Sequence, residues 1–199
     1  MLKYTGYIRK IRYYSESSHY IVALLEVEED QELLTMNGYM SNFNDYDKYA
    51  FYGDFEIHPK YGQQFKLDHY EIVLSTDEEE IIKYLSSPLF KGIGPTQAKY
   101  IVDALGENAL SLIKEDKHHL DLVKGMTVAK RELIYEVLTS NDYDQEVTQF
   151  FMGHGISLRH IGIIQETYKE KTLEILQNHP YQLVEDIDGI GFKTADELA

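Results

Sequence analysis

One nine-residue pattern occurs twice in this chain, and it constrains the fold more than any other feature. Phe90-Lys91-Gly92-Ile93-Gly94-Pro95-Thr96-Gln97-Ala98 returns as Ile187-Asp188-Gly189-Ile190-Gly191-Phe192-Lys193-Thr194-Ala195, with Gly, Ile, Gly and Ala in register. Between them, Val123-Lys124-Gly125-Met126-Thr127 keeps the first glycine and the apolar residue but has Thr where the second glycine stood. A weaker fourth version is Gly153-His154-Gly155-Ile156-Ser157. Each copy is followed by a helix-period stretch, so the repeated unit is a tight turn that hands the chain into a helix. Glycine supplies the positive φ or the close backbone approach such a turn needs. The apolar residue between the glycines (Ile93, Met126, Ile190) is expected to point inward and pin the turn to the helices. Gly92 and Gly125 are 33 residues apart, room for a turn, a helix, a linker and the next turn, which suits a tandem pair.

Apolar–x–Gly–apolar–Gly between two helices is the pattern of the helix-hairpin-helix DNA-binding motif. Its physics explains the residue choice. The turn and the first residues of the following helix expose backbone N–H groups, and the positive end of the helix dipole favours an anion there. A DNA phosphate can sit at such a turn with few basic side chains. The expected contact set is Lys91, Gly92, Ile93, Gly94, Pro95, Thr96 and Lys99 at the first turn. Lys124, Gly125, Thr127 and Lys130 serve the second, and Gly189, Gly191, Lys193 and Thr194 the last. Lysines near these turns add charge-assisted bonds. Binding of this kind follows the backbone and reads no base sequence. A Gly-x-Gly turn is also a common corner between packed helices, and the repetition is what weighs against that reading.

The stretch before the first turn is chemically different. Of 25 Tyr and Phe residues, 15 fall in positions 1–75. Short β-branched and aromatic runs are expected as strands at Lys3–Tyr14, Tyr20–Glu28, Leu33–Met40, Tyr49–Ile57 and Gln64–Leu74. His58-Pro59-Lys60-Tyr61-Gly62 joins the last two as a turn, because Pro59 fixes φ and Gly62 permits φ > 0. Five short strands without an intervening helix predict a small barrel of the OB type; the alternative is a two-sheet sandwich, which would more usually have seven or more strands. Most of its aromatics are expected to be core, though some could stack nucleobases. After Ser75 the pattern becomes helical, starting with Thr76 as N-cap and Glu79 completing a capping box. The expected fold is α+β: an OB-like barrel over 1–75, a first hairpin pair over 76–145 and a second hairpin unit over 146–199.

Composition excludes several chemistries. With no cysteine among 199 residues, disulfide scaffolds, thiolate metal sites and Cys nucleophiles are ruled out. There is no G-x-x-x-x-G-K-[ST], hence no P-loop, and the Gly-Ile-Gly-Phe-Lys-Thr run at 189–194 has the wrong spacing for one. No G-x-S-x-G elbow or HExxH pair occurs, so no bond-breaking chemistry, cofactor or metal is expected of this chain. No apolar run reaches the length of a membrane span and no signal peptide is evident, so a cytoplasmic, membrane-free protein is expected. The net charge of −15 argues against coating nucleic acid by bulk charge. It does not exclude a turn that grips phosphate through backbone amides, so it predicts low non-specific affinity.

Across nearly the whole chain the sequence resembles the N-terminal region of the RecD-like ATP-dependent DNA helicases, the short class that works without RecB and RecC partners. The residues that carry the resemblance are Gly53 with His58-Pro59-Lys60-Tyr61-Gly62-Gln63-Gln64-Phe65, then Tyr84-Leu85-Ser86-Ser87 leading into Lys91-Gly92-Ile93-Gly94. His154-Gly155-Ile156-Ser157, Asn178-His179-Pro180-Tyr181-Gln182-Leu183 and Asp188–Asp196 follow in the family's order. His179 interrupts the family's Asn-Pro-Tyr, and Thr127 replaces a hairpin glycine, which weakens the case for phosphate contact at the second turn. The resemblance implies an OB-like domain and tandem hairpins preceding a superfamily 1 motor that moves 5′ to 3′ along single-stranded DNA. ATP and Mg would be needed only by that motor. Ala199 lies within what should be the last hairpin's second helix, so a longer parent is expected, with this region a non-catalytic monomer serving DNA repair or recombination. The rival readings are a RuvA-like Holliday-junction binder, a helix-hairpin-helix glycosylase fragment and a protein-interaction module that never touches DNA.

Overall fold

The computed structural model describes residues 1–41, 43–140, 147, 151, 154 and 156–198. Five strands come first: β1 (Leu2–Tyr14), β2 (Tyr20–Val27), β3 (Leu33–Tyr39), β4 (Lys48–His58) and β5 (Gly62–Val73). They close into a barrel in the order β1-β2-β3-β5-β4. β1–β2 and β2–β3 are antiparallel, while β3 runs parallel to β5, pairing Met36 with Phe65 and Asn37 with Lys66. This is the OB-like barrel the strand pattern predicts, with each strand within two residues of its expected ends.

Alternation along the strands builds the barrel core. In β2, Ile21, Ala23, Leu25 and Val27 are buried while Tyr20, Val22, Leu24 and Glu26 are only half-buried, the period of two that a pleated strand imposes. Ile8, Met36, Phe51, Phe65 and Leu67 are buried with them. β1 follows the barrel's curvature through register shifts at Ile8/Lys10 and Ile11/Tyr13, where an extra residue sharpens twist. Gly53 lets β4 and β5 approach, since a Cβ there would collide with the Lys66 carbonyl oxygen. Asn37 is buried and satisfied: its amide donates to Glu56 Oε1 at 3.0 Å and to Gln64 Oε1 at 2.8 Å, as a buried amide requires.

Helices follow: α1 (Glu78–Leu85), α2 (Pro95–Leu105), α3 (Ala109–Glu115), α4 (Val128–Thr139), α5 (Leu158–Tyr168), α6 (Thr172–Asn178), α7 (Gln182–Asp186) and α8 (Phe192–Leu198). None is long and apolar enough to cross a membrane. The start of α1 corrects one expectation. Asp77, not Thr76, is the N-cap, and its carboxylate accepts from the Glu80 amide at 2.9 Å. The reason is local. Asp77 accepts at N3, while Ser75 donates to Glu80 and accepts the Asp77 amide, so the cap sits one residue later and Glu79 has no reciprocal role.

The chain forms two compact units. One comprises Met1–Asp45, Ala50–Glu71 and Tyr143–Ala199; the other comprises Tyr46–Tyr49 and Ile72–Asp142. In the second unit, Ile81, Leu85, Phe90, Ile93, Ala98, Ile101, Val102, Leu110, Ile113, Leu120, Val123, Ile134 and Leu138 make one core. In the first, the helical residues bury Val147, Phe151, Ile156, Ile161, Ile164, Leu176, Leu183, Ile187 and Ile190. The point 145/146, expected to separate the hairpin units, lies outside the described residues.

Candidate nucleic-acid interface

The three glycine turns share one backbone. Gly92, Gly125 and Gly189 have φ of +83°, +73° and +93°, the left-handed region that penalises any residue with a Cβ. In each, the apolar residue after the glycine donates its amide back three residues: Ile93 to Phe90 at 3.0 Å, Met126 to Val123 at 3.2 Å, Ile190 to Ile187 at 3.3 Å. Ile93 and Ile190 are buried and half-buried Met126 packs on the core of its unit, so all three pin their turns as their position predicts. The fourth version lies partly outside the described residues, because Gly153 and Gly155 do; Ile156 is buried and Ser157 precedes α5.

The second glycine of the pattern has a different role. Gly94 is extended, with φ −93° and ψ 176°, a conformation any residue adopts. What glycine provides there is a bare N-cap. No side chain caps α2, Pro95 occupies its first position, and a Cβ on Gly92 or Gly94 would meet nothing within 4 Å. The amides of Thr96 and Gln97 therefore open outward at the positive end of an eleven-residue helix. Lys91 is exposed beside them. Thr96 and Lys99 are exposed on the first turns of α2, with Lys99 Nζ 3.8 Å from Asp103.

The second turn has the same backbone but is closed by its own side chains. Thr127 caps α4, its hydroxyl accepting from the Lys130 amide at 3.3 Å. Gln97 reaches across from α2, donating to the Lys124 carbonyl at 2.9 Å, and its Oε1 would lie 3.4 Å from a Cβ on Gly125. Lys130 Nζ donates to the same Oε1 at 3.4 Å, and Lys124 Nζ sits 5.3 Å from the centre of the Tyr100 ring. The first and second turns and their four lysines thus share one unit, with Gln97 joining them.

The last turn is the least suited to an anion. Asp188 holds the position that Lys91 and Lys124 hold in the other turns. His160 packs against Gly189, its Nε2 lying 2.8 Å from where a Cβ would be. Burial, and then the nearby Arg159, lower the His160 pKa from its ordinary value, so the neutral ring is favoured. Gly191 is open, Lys193 is exposed and Thr194 half-buried. Gln97 and His160 do not stand out as site residues when the glycines alone are aligned. Both are third in the helix after a turn, and both reach the glycine of the next turn, so aligning the repeat beyond the glycines is the signal that finds them.

Two family models match the chain. Residues 1–75 match the OB-fold domain of the ATP-dependent DNA helicase YrrC, and residues 140–199 match the HHH domain of the ATP-dependent RecD2 DNA helicase. The first match covers the barrel and the second covers the Gly189 turn.

Proposed function

Because this chain belongs to the RecD-like ATP-dependent DNA helicases, as their N-terminal region, we propose that it holds DNA by its sugar-phosphate backbone for a helicase motor elsewhere in the protein. The observation that carries this reading is the turn at Lys91–Gly94, where uncapped amides, a helix N-terminus and an exposed lysine converge on open space. A phosphate bound there accepts from amides pointing outward and meets a positive field. Backbone contact of this kind is indifferent to sequence. ATP and Mg belong to the motor in this reading, and repair or recombination in the cytoplasm is the setting that a strand-handling accessory region suits. The second turn, filled by Thr127 and Gln97, and the last, with Asp188 in the lysine position and His160 against Gly189, serve mainly to stiffen the fold.

Fluorescence anisotropy with labelled oligonucleotides tests the proposal. Lys91→Glu is expected to weaken binding about tenfold for every sequence tried, and binding of the unaltered chain is expected to fall steeply with salt. Gly92→Val should weaken it as well, with folding checked by circular dichroism. The reading fails if Lys91→Glu leaves affinity and salt dependence unchanged.

A further inference from the structure

The motif His58-Pro59-Lys60-Tyr61-Gly62 has no part in the hairpin reading, yet it adjoins Ile57, the most exposed large hydrophobic side chain among the described residues. Ile57 is 84% exposed and Tyr61 64%. The two flank the tip of the β4–β5 hairpin. That tip is rigid. Gly62 has φ +75°, and Nδ1 of His58 accepts from the amides of Lys60 at 3.1 Å and Tyr61 at 3.3 Å. The His58 and Tyr61 rings lie 4.8 Å apart at 33°, and Lys60 Nζ is 5.2 Å from the Tyr61 ring centre. Beneath the tip, Tyr4, Phe55 and Phe65 pack edge to face with centroids 5.3–6.2 Å apart. Ile57, two residues beyond Phe55 and so on the same strand face, continues that row past the end of the barrel.

Charge at the tip is one-sided. The acids of β4 have partners: Asp54 pairs with the N-terminal amine at 3.2 Å, and Glu56 pairs with Lys66 at 3.4 Å and accepts from Asn37. Lys60 has no ion pair among the described residues. A stiff apolar point with a cation at its crest matches a ligand whose flat apolar faces are bordered by phosphates. The geometry points to a wedge that stacks Tyr61 and Ile57 on the last base pair where duplex DNA opens into single strands, with Lys60 facing the adjacent phosphate. Shape selects the junction. Single strands are followed by grooves lined with aromatics, whereas a convex apolar tip acts on base steps it can enter, as inserted Ile, Leu and Phe wedges do.

This inference rests on the DNA-binding reading but uses a different surface, so the two can fail separately. The test places 2-aminopurine in the terminal base pair of a forked duplex and follows its emission as the full chain is added at saturating concentration. The unaltered chain is expected to raise emission as the base unstacks. The double variant Ile57→Ser, Tyr61→Ala should abolish that rise and weaken fork binding about tenfold, while blunt duplex binds as before. Lys91→Glu should lower affinity for all DNA yet give the full rise at saturation. Both altered tip residues are exposed, so the variant's melting temperature should be unchanged. A fork that binds without any rise, or a tip variant that gives the same rise, overturns the wedge alone. No binding to any DNA overturns both readings. A tip variant with intact fork emission but lost capture of a protein also overturns it.

Discussion

Asp47 is an acidic residue only 3% exposed, held in place by phenols. Tyr84 donates to its Oδ1 at 2.7 Å and Tyr49 to its Oδ2 at 3.5 Å. Tyr84→Phe keeps the ring and removes the shorter donor, and hydrogen bonds to charged groups contribute about 1.5–3 kcal/mol. A loss of that size in urea unfolding of the unit containing α1 is expected. The same contact sets a pH limit. Burial first, then the Asp47 charge and hydrogen bond, raise the Tyr84 pKa far above its ordinary value. A group whose folded pKa is raised contributes stability that is complete below the unfolded value, about 10 for tyrosine, and is lost as pH climbs past it. Urea midpoints measured between neutral pH and strong alkali should therefore fall more shallowly in Tyr84→Phe than in the unaltered chain. Equal slopes would remove Tyr84 from the account.

The three turns form a natural experiment at the level of the element. Their glycine φ values agree within 20° and their backbone hydrogen bonds coincide, so what separates them is the residue at the N-cap and what fills the space before it. Gly94→Ser adds a hydroxyl able to accept from the amides of the first turn of α2. Serine and glycine differ by only a few tenths of a kcal/mol at an N-cap, so thermal stability should stay level or rise slightly while DNA affinity falls. Thr127→Gly is the reverse exchange: a small loss of stability, with the Lys130 amide freed. If Gly94→Ser binds DNA as tightly as the unaltered chain, the bare cap has no functional meaning. Paired melting curves and anisotropy titrations of the two variants decide it.

At the scale of the whole molecule, the barrel and the helices from 156 onward share a compact unit, and His19 touches α5 within it. Its φ is +54°, a left-handed position that costs a residue with a side chain about 1–2 kcal/mol. Its Nδ1 hydrogen-bonds the Tyr14 hydroxyl at 2.8 Å, its Nε2 lies 3.7 Å from Glu166, and its ring fits against Gly162 of α5, where a Cβ would collide with it. Gly162→Ala is normally favourable in a helix, by about 1 kcal/mol. Here the ring must move, so destabilisation is expected instead. Hydrogen exchange should show faster exchange in β1–β2 and α5 with no change over α2–α4. A stabilised variant would show that the ring and the helix are not joined there.

Sequence alone determined the parts that depend on local chemistry. Period-two burial marks strands, a glycine at a fixed offset marks each positive-φ turn, and Pro59 with Gly62 marks the β4–β5 turn, because each depends on residues adjacent in the chain. The apolar pins Ile93 and Ile190 were legible for the same reason. The exchange of Thr76 for Asp77 as the cap was not, since neighbouring residues compete for the same amides and only the folded path of Ser75 settles the competition. Nor could spacing show that Gln97 crosses to the Lys124 carbonyl, or that His160 fills the space beside Gly189. Those contacts join residues far apart in the chain, and only tertiary packing brings them together. The glycines, Thr127 and Asp188 were written in the sequence; that Gln97 and His160 close the space beside Gly125 and Gly189 was decided by packing.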